Sequence, residues 1–432
     1  MTLMADLLPF RALRYNPIVA GDPANLVAPP FDVAAGRARL DLYARSPYNI
    51  ARVDYGEDRP DVDRSVDHYA LAARELGQWQ AAGVLLRDTE PRLYVYDQEF
   101  EFDRETRRRR AVFGALRLEE WEKGIVLPHE VTGESAKLDR RRLLEATATH
   151  LSPVMGLYKP DSMPLEILDE ADEAPVLDAV LPDARHTLRP LSPAAAARFA
   201  ATLAGRRVYV ADGHHRYETA LAYRDQRRAA AGAWNGDEAF NFVLAGLVAA
   251  DDPGFVVLPT HRLLRLPGRS GDLTPNLEAL FDLAPMGEAT PENVDTLIAK
   301  LAELGRNGPV FGAIGVQPGY LHLLLPRNLE AAIARTPEGH TDAWRALDVT
   351  VLAYAVLPDL GYEGAPDHID YTEDARHALA AVQEGPFDLA LLLNPTTIDQ
   401  VIAVSESGDR MPRKSTFFYP KLATGVVMLP VD

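Results

Sequence analysis

The run VYVADGHHRYETALAY places Asp212, Gly213, His214, His215 and Arg216 where a short apolar strand gives way to a helix. Backbone N–H groups at a helix start, with the positive end of the helix dipole, form a ready site for a phosphate. Gly213 lets the backbone approach closely or take a positive φ. Arg216 offers a forked, charge-assisted contact to phosphate oxygens, and the two histidines can donate to the same oxygens or move protons near neutral pH. Asp212, at the carboxyl end of its strand, lies where open α/β sheets bind ligands and is suited to holding Mg²⁺ or accepting a hydroxyl proton. A plainer reading makes Asp212 an N-cap and the histidines turn residues. Four functional side chains within five residues, in a chain with only eleven histidines, favour a site.

Three other segments carry candidate chemistry. In GIVLPHEVTGESAKLDR, Pro128 ends a short apolar run and leaves His129 and Glu130 at a loop or edge. Glu130 is suited to act as general base toward a hydroxyl, and Lys137 to meet phosphate; an ordinary charged loop explains the segment equally well. LPTHRLL puts Thr260, His261 and Arg262 at a strand end, where an arginine clamps a carboxylate or simply meets solvent. RMPRKSTFFYPKL gathers Lys414, Ser415, Thr416 and Lys421 around aromatic residues, as an anion-binding loop or, slightly favoured, an anchor for the last strand. Zinc chemistry is disfavoured: adjacent histidines diverge, no HExxH occurs, and the chain has no cysteine. Neither GxxxxGK[ST] nor a glycine-rich dinucleotide fingerprint is present.

Strand-like and helix-like segments alternate throughout, which predicts a mixed α/β fold (α+β, mixed sheet). Expected elements are a helix over 66–84, a hairpin over 92–118 with Arg107 to Arg110 in its solvated turn, and a helix over 137–149. A strand at VMGLYKP, a surface connector at 160–185, and a helix from about Tyr217 follow. FNFVLAGLVA and FVVLPTHRLL read as buried strands, and NLEALFDLA and VDTLIAKLAELG as helices. The texture divides the chain into a catalytic region at 1–265, a small α/β unit at 266–345 and a C-terminal α/β segment at 346–432 that returns to the core. At Arg140 to Arg142 the arginines are expected to splay into solvent, with one able to reach an anion.

The 432 residues are 47% hydrophobic and 25% charged, an ordinary globular composition. A formal net charge of -18 disfavours nucleic acid as a partner. No apolar run approaches the ~20 residues that span a bilayer, and the N-terminus lacks a secretory pattern. The expectation is a cytoplasmic protein without a membrane partner.

Through APPFDV, SPYNI, VLPHE, ADGHHRYETALAYRD, LPTHRLL and RMPRKSTFFYPKL the chain resembles, over nearly its full length, the bacterial family called domain of unknown function 1015. DGHHR also resembles the motif of free L-serine kinases, members of the ParB/sulfiredoxin-like fold, and VLPHE resembles the segment that carries their catalytic glutamate. The resemblance implies a ParB/sulfiredoxin-like core elaborated with additional α/β units, and phosphoryl transfer to L-serine giving O-phosphoserine. Glu130 would then deprotonate the serine hydroxyl, with Asp212 and His215 as further catalytic groups. Gly213, His214, Arg216, Lys137 and His129 would hold the donor, Thr260, His261 and Arg262 the substrate, and Asp212 a Mg²⁺ ion. ATP, ADP, pyrophosphate and polyphosphate all suit such a pocket, and a homodimer is compatible with it. The alternatives are a ParB-like nucleotide-binding regulatory protein without kinase activity, and a metal-dependent hydrolase using Asp212, His214 and His129.

Overall fold

The computed structural model describes residues 5–34, 36–56, 59–63, 65–160, 165–268, 271–362 and 364–432, except for the side chains of 134–136. The chain divides into two compact units. Unit 1 is Met1–Pro128, Thr132–Phe255 and Pro420–Asp432; unit 2 is His129–Val131 and Val256–Tyr419.

In unit 1, nine strands among the described residues form one mixed sheet. They are β1 (Leu7–Leu8), β2 (Tyr94–Phe102), β3 (Glu105–Arg117), β4 (Val126–Pro128), β5 (Val154–Tyr158), β6 (Leu177–Val180), β7 (Arg185–Pro190), β8 (Val208–Asp212) and β9 (Phe242–Ala249). The order is β4-β8-β5-β9-β3-β2-β7-β6, with β1 on β3. β9 is buried at every position, as the unbroken apolar run FVLAGLVA requires of a central strand covered on both faces. β2 and β3 form the expected hairpin, but its two-residue turn is Asp103–Arg104, both at positive φ. Arg107 to Arg110 therefore lie within β3 and not in the turn. Alternation along the strand turns Arg109 inward, leaving it 1% exposed, where it donates to Gln98 Oε1 and to the Pro420 carbonyl.

Two helices of unit 1 matter for the site: α1 (Glu134–Thr147) and α2 (His214–Ala230). On α2, Tyr217, Ala220, Leu221 and Arg224 recur at helical spacing and are buried. Tyr217, Ala220 and Leu221 pack into the main core beside Val208, Val210 and Val243. A second core in unit 1 gathers Leu13, Ile50, Val53, Leu76 and Trp79, and Leu143 of α1 packs there. Arg140 does not reach solvent: it is 7% exposed and ion-paired with Asp54 and Asp139.

Unit 2 holds a six-stranded sheet of β10 (His261–Leu264), β11 (Phe281–Glu288), β12 (Phe311–Ile314), β13 (Tyr320–Pro326), β14 (Ile369–Thr372) and β15 (Leu389–Leu392), in the order β11-β13-β12-β15-β10-β14. The expected helix NLEALFDLA is only Thr274–Leu277; its second half enters β11, whose pairing with β13 overrides local helix preference. The FVVLPTHRLL run splits, since Val256–Leu258 pairs with Phe417–Tyr419 while β10 joins the larger sheet. The mixed α/β class expected from the sequence is thus the observed one. Among the described residues, no helix is long and apolar enough to cross a membrane.

Candidate functional site

The turn between β8 and α2 begins with a bulge. β8 pairs with β5 through Val210↔Gly156 and then Asp212↔Met155, so the register shifts just before the strand ends. A bulge re-aims the side chains that follow it. Gly213 sits at φ 90 and ψ 27, and the helix starts at His214, three residues earlier than its periodicity suggests. The first intrahelical bond runs from Tyr217 N–H to the Gly213 carbonyl at 3.0 Å. No side chain caps this 17-residue helix. Asp212, the obvious capping residue, instead accepts from Arg216 Nη2 at 2.9 Å and from Lys421 Nζ at 2.7 Å. Burial alone would raise the Asp212 pKa, but Lys421, Arg216 and His214 outweigh it and hold the carboxyl well below its usual range.

Arg216 turns back beneath the turn, donating through Nη1 to Ser152 Oγ at 2.7 Å and to the Pro153 carbonyl. A Cβ on Gly213 would meet the Arg216 guanidinium at 3.0 Å, so the position needs glycine for space as well as for φ. Gly213→Ala is expected to destabilise unit 1 by about 1–3 kcal/mol, read from chemical denaturation. An unchanged midpoint would show that the turn relaxes freely.

His214 is buried, and His215 Nε2 accepts from Gly133 N–H at 2.9 Å. That bond places the proton of a neutral His215 on Nδ1 and ties the first turn of α2 to the N-cap of α1. Lys137 Nζ lies 3.3 Å from Glu218 Oε2, which also accepts from Thr132 Oγ1 at 2.7 Å. The structure therefore brings Lys137, His215 and Glu218 together where α1 and α2 begin.

Lys421, read from the sequence as part of an anion-binding or anchoring loop, joins the turn at Asp212 instead. Three contacts hold the backbone around it: Gln98 Nε2 donates to the Lys421 carbonyl at 2.8 Å, Arg109 to the Pro420 carbonyl, and Ala423 N–H to Tyr96 Oη at 3.4 Å. β2 and β3 thus deliver an ammonium group to Asp212 from 209 residues away. Nothing local in FFYPKL signals this.

In unit 2, Glu130 Oε1 accepts from Lys414 N–H at 2.9 Å and Oε2 from Ser415 N–H at 3.3 Å. Lys414 has φ 59, a left-handed turn that aims successive N–H groups at one carboxylate. Arg262 is 4% exposed and donates to the Thr260 carbonyl and, at 3.1 Å, to that of Lys414. Burial lowers its pKa to about 10, while Tyr371 and Glu130 favour its charge. His129 is fully buried, with Nε2 3.0 Å from Thr416 Oγ1 and its ring edge-on to Phe418. His261 Nδ1 accepts from Leu393 N–H at 3.2 Å. The KST segment therefore gathers Glu130, Arg262 and His129, while His261 is packed into its surroundings.

Two histidines make stability pH-dependent. Burial lowers His150 to about 4, with Arg216 adding to it, and burial lowers His261 to about 4, with Arg262 adding to it. Unfolded, each titrates near pH ~6.5. Their folded values are depressed, so stability is complete above about pH 6.5 and is lost as pH falls toward about 4, at roughly 3 kcal/mol per histidine. Denaturation between pH 7.5 and 5 should show this slope, and His150→Gln should reduce it; a flat profile refutes the assignment.

Fold and turn together define a class: a mixed α/β protein whose largest sheet ends in a charged strand-to-helix turn. The chain belongs to the family described as Protein of unknown function (DUF1015), whose model matches residues 7–350. No curated protein matches it. Among solved structures it is similar to a free serine kinase in complex with AMP, at 14% identity and TM-score 0.33, covering 71% of this chain and 86% of that one. It is also similar to a conserved hypothetical protein from Pyrococcus furiosus, at 13% identity and TM-score 0.33, covering 72% and 92%. SbnI with C-terminal truncation from Staphylococcus aureus is a third, at 13% identity and TM-score 0.33, covering 72% and 84%.

Proposed function

We propose that the protein is a phosphotransferase that moves a phosphoryl group from a nucleotide or another polyphosphate donor to the hydroxyl of free L-serine. One observation carries the reading: a long helix, opened by Gly213 and capped by no side chain, begins beside a carboxylate that two cations hold ionised. A phosphate at the helix start would meet first-turn N–H groups of Gly213, His214 and His215 together with the helix dipole. Lys421 lies on the neighbouring carboxylate and could turn to the phosphate, while Asp212 keeps the turn from repelling itself in the absence of ligand. Phosphoryl transfer asks the protein chiefly for positioning and charge neutralisation, and these groups supply both.

The acceptor is read from the motif resemblance to free L-serine kinases. In the proposed step the serine oxygen forms a bond to phosphorus as the donor's P–O bond breaks, its electron pair leaving with the donor. The hydroxyl proton passes to Glu130. Two backbone N–H groups, of Lys414 and Ser415, hold the Glu130 carboxylate in place. Arg262, Thr260 and His261 belong to the same reading as positioning groups for the substrate, and His129 and Lys137 for the donor. The cytoplasmic location is part of this reading.

Magnesium fits this arrangement poorly. Both Asp212 oxygens already accept from cations, and a metal ion would have to displace one of them. Among the described residues no group of three or more His, Asp or Glu could hold a metal ion.

The test is to incubate the purified protein with L-serine, Mg²⁺ and, in turn, ATP, ADP, pyrophosphate and polyphosphate, and to measure O-phosphoserine by mass spectrometry. Product with one donor is the expected result. Nucleotide binding with no product from any donor would sink the transfer reading and leave a nucleotide-binding regulator.

A further inference from the structure

In unit 2, Arg262 is a guanidinium buried without an ion pair. It is 4% exposed, and its acceptors are the carbonyls of Thr260 and Lys414. Among the described residues no carboxylate lies within ion-pair distance of it. Buried charges are ordinarily paired, because taking an ion out of water is costly. Burial lowers the Arg262 pKa only to about 10, so the group stays charged at neutral pH.

Strand pairing decides what stands over this charge. β10 and β14 are antiparallel with Arg262 opposite Tyr371, and the guanidinium lies 5.5 Å from the centre of the Tyr371 ring. Side chains alternate along a strand, so Tyr371 shares the Arg262 face. Asp370 and Leu263 take the other face, where Leu263 enters the core of unit 2. Burial raises the Tyr371 pKa, and Glu130 and Asp370 add to it against Arg262 and Arg413. The phenol therefore keeps its proton and can donate. Its hydroxyl bonds to no described residue, and Thr260 Oγ1 is buried without a partner.

Arg413 is the second cation acting on Tyr371; its side chain is exposed and bonds to no described residue. Lys414, next in the chain, is exposed as well. Glu130 already accepts from two backbone N–H groups. On this face Arg262 and Arg413 stand against Glu130, which leaves an excess of positive charge in a chain whose net charge is -18. Cations in excess, a protonated phenol and an unpartnered hydroxyl suit an anion.

We propose that Tyr371 and Arg413, over the buried charge of Arg262, form an anion subsite that takes the carboxylate of a small hydroxy acid whose hydroxyl faces Glu130. The inference rests on the acceptor reading above and adds what selects the acceptor: the carboxylate is recognised, and Tyr371 and Arg413 recognise it. Phosphate presents similar oxygens, so the test carries both anions.

The test is calorimetric titration of the full-length protein with 3-hydroxypropionate, ethanolamine and inorganic phosphate. 3-Hydroxypropionate should bind at least about tenfold more tightly than ethanolamine, the worth of one charge-assisted contact. Equal binding of the two, or no binding of 3-hydroxypropionate, overturns the subsite. Tyr371→Phe removes only a hydroxyl without a partner, and Arg413→Gln only an exposed charge, so both variants should fold. Together they should weaken 3-hydroxypropionate about tenfold or more while inorganic phosphate, held at the start of α2, binds as before. Unchanged 3-hydroxypropionate affinity overturns the proposal, and a loss confined to phosphate assigns the groups to the donor and overturns it too. Selective binding of 3-hydroxypropionate without O-phosphoserine from serine would retain the subsite and reject the kinase reading. O-phosphoserine formed by the double variant at an unchanged KM for serine would do the reverse.

Discussion

Lys421→Met is expected to destabilise unit 1 by about 1.5–3 kcal/mol, because a largely buried carboxylate loses one charge-assisted hydrogen bond while Arg216 stays paired with it. The Lys421 and Asp212 side chains are 12% and 16% exposed, so water compensates little for the lost partner. Methionine keeps the length and apolar stem of lysine and removes only the charge, which isolates the electrostatic effect. Removing both charges, in Lys421→Met with Asp212→Asn, should cost less than the sum of the two single losses, although Arg216 then loses its carboxylate as well. Denaturant unfolding of the wild type, the two single variants and the double variant gives the coupling directly. Additive single effects would show that the pair is not coupled. The same variants separate stability from function: the double variant should fold and bind inorganic phosphate poorly, because Lys421 is the cation that the turn can lend to an anion.

Glu130→Gln should lower the rate of O-phosphoserine formation by about 10²- to 10⁴-fold, the range associated with a lost general base. Nucleotide binding should persist. Glutamine retains the shape and one acceptor oxygen, so one of the bonds from Lys414 N–H and Ser415 N–H survives, but its amide NH₂ opposes the other N–H. A purely structural role predicts a loss of stability with the remaining activity following the folded fraction. A base predicts a folded protein whose pH–rate profile loses its acidic limb. A rate within threefold of wild type, with the fold intact, would remove Glu130 from the chemistry.

Some of this was legible along the chain because it is local. The β9 run FVLAGLVA marks a buried strand by apolar continuity, and the α2 face marks a helix by its period. Other readings failed where sequence-distant pairing prevailed. Half of NLEALFDLA became β11 through pairing with β13, and Arg109, one of four consecutive arginines, turned inward because strand alternation put it opposite Gln98.

The sequence by itself determined the strand-to-helix turn at Asp212–Gly213–His214, since an apolar strand, a glycine suited to positive φ and a helical period are adjacent in the chain. Tertiary structure alone decided which charges meet there and elsewhere. Lys421 reaches Asp212 across 209 positions, Lys414 and Ser415 reach Glu130 across 284 and 285, and Arg140 reaches Asp54 across 86. Secondary-structure signals arise from interactions within a few residues. A buried ion pair arises from the path of the chain, which brings into one low-dielectric place charges that carry no local mark of each other.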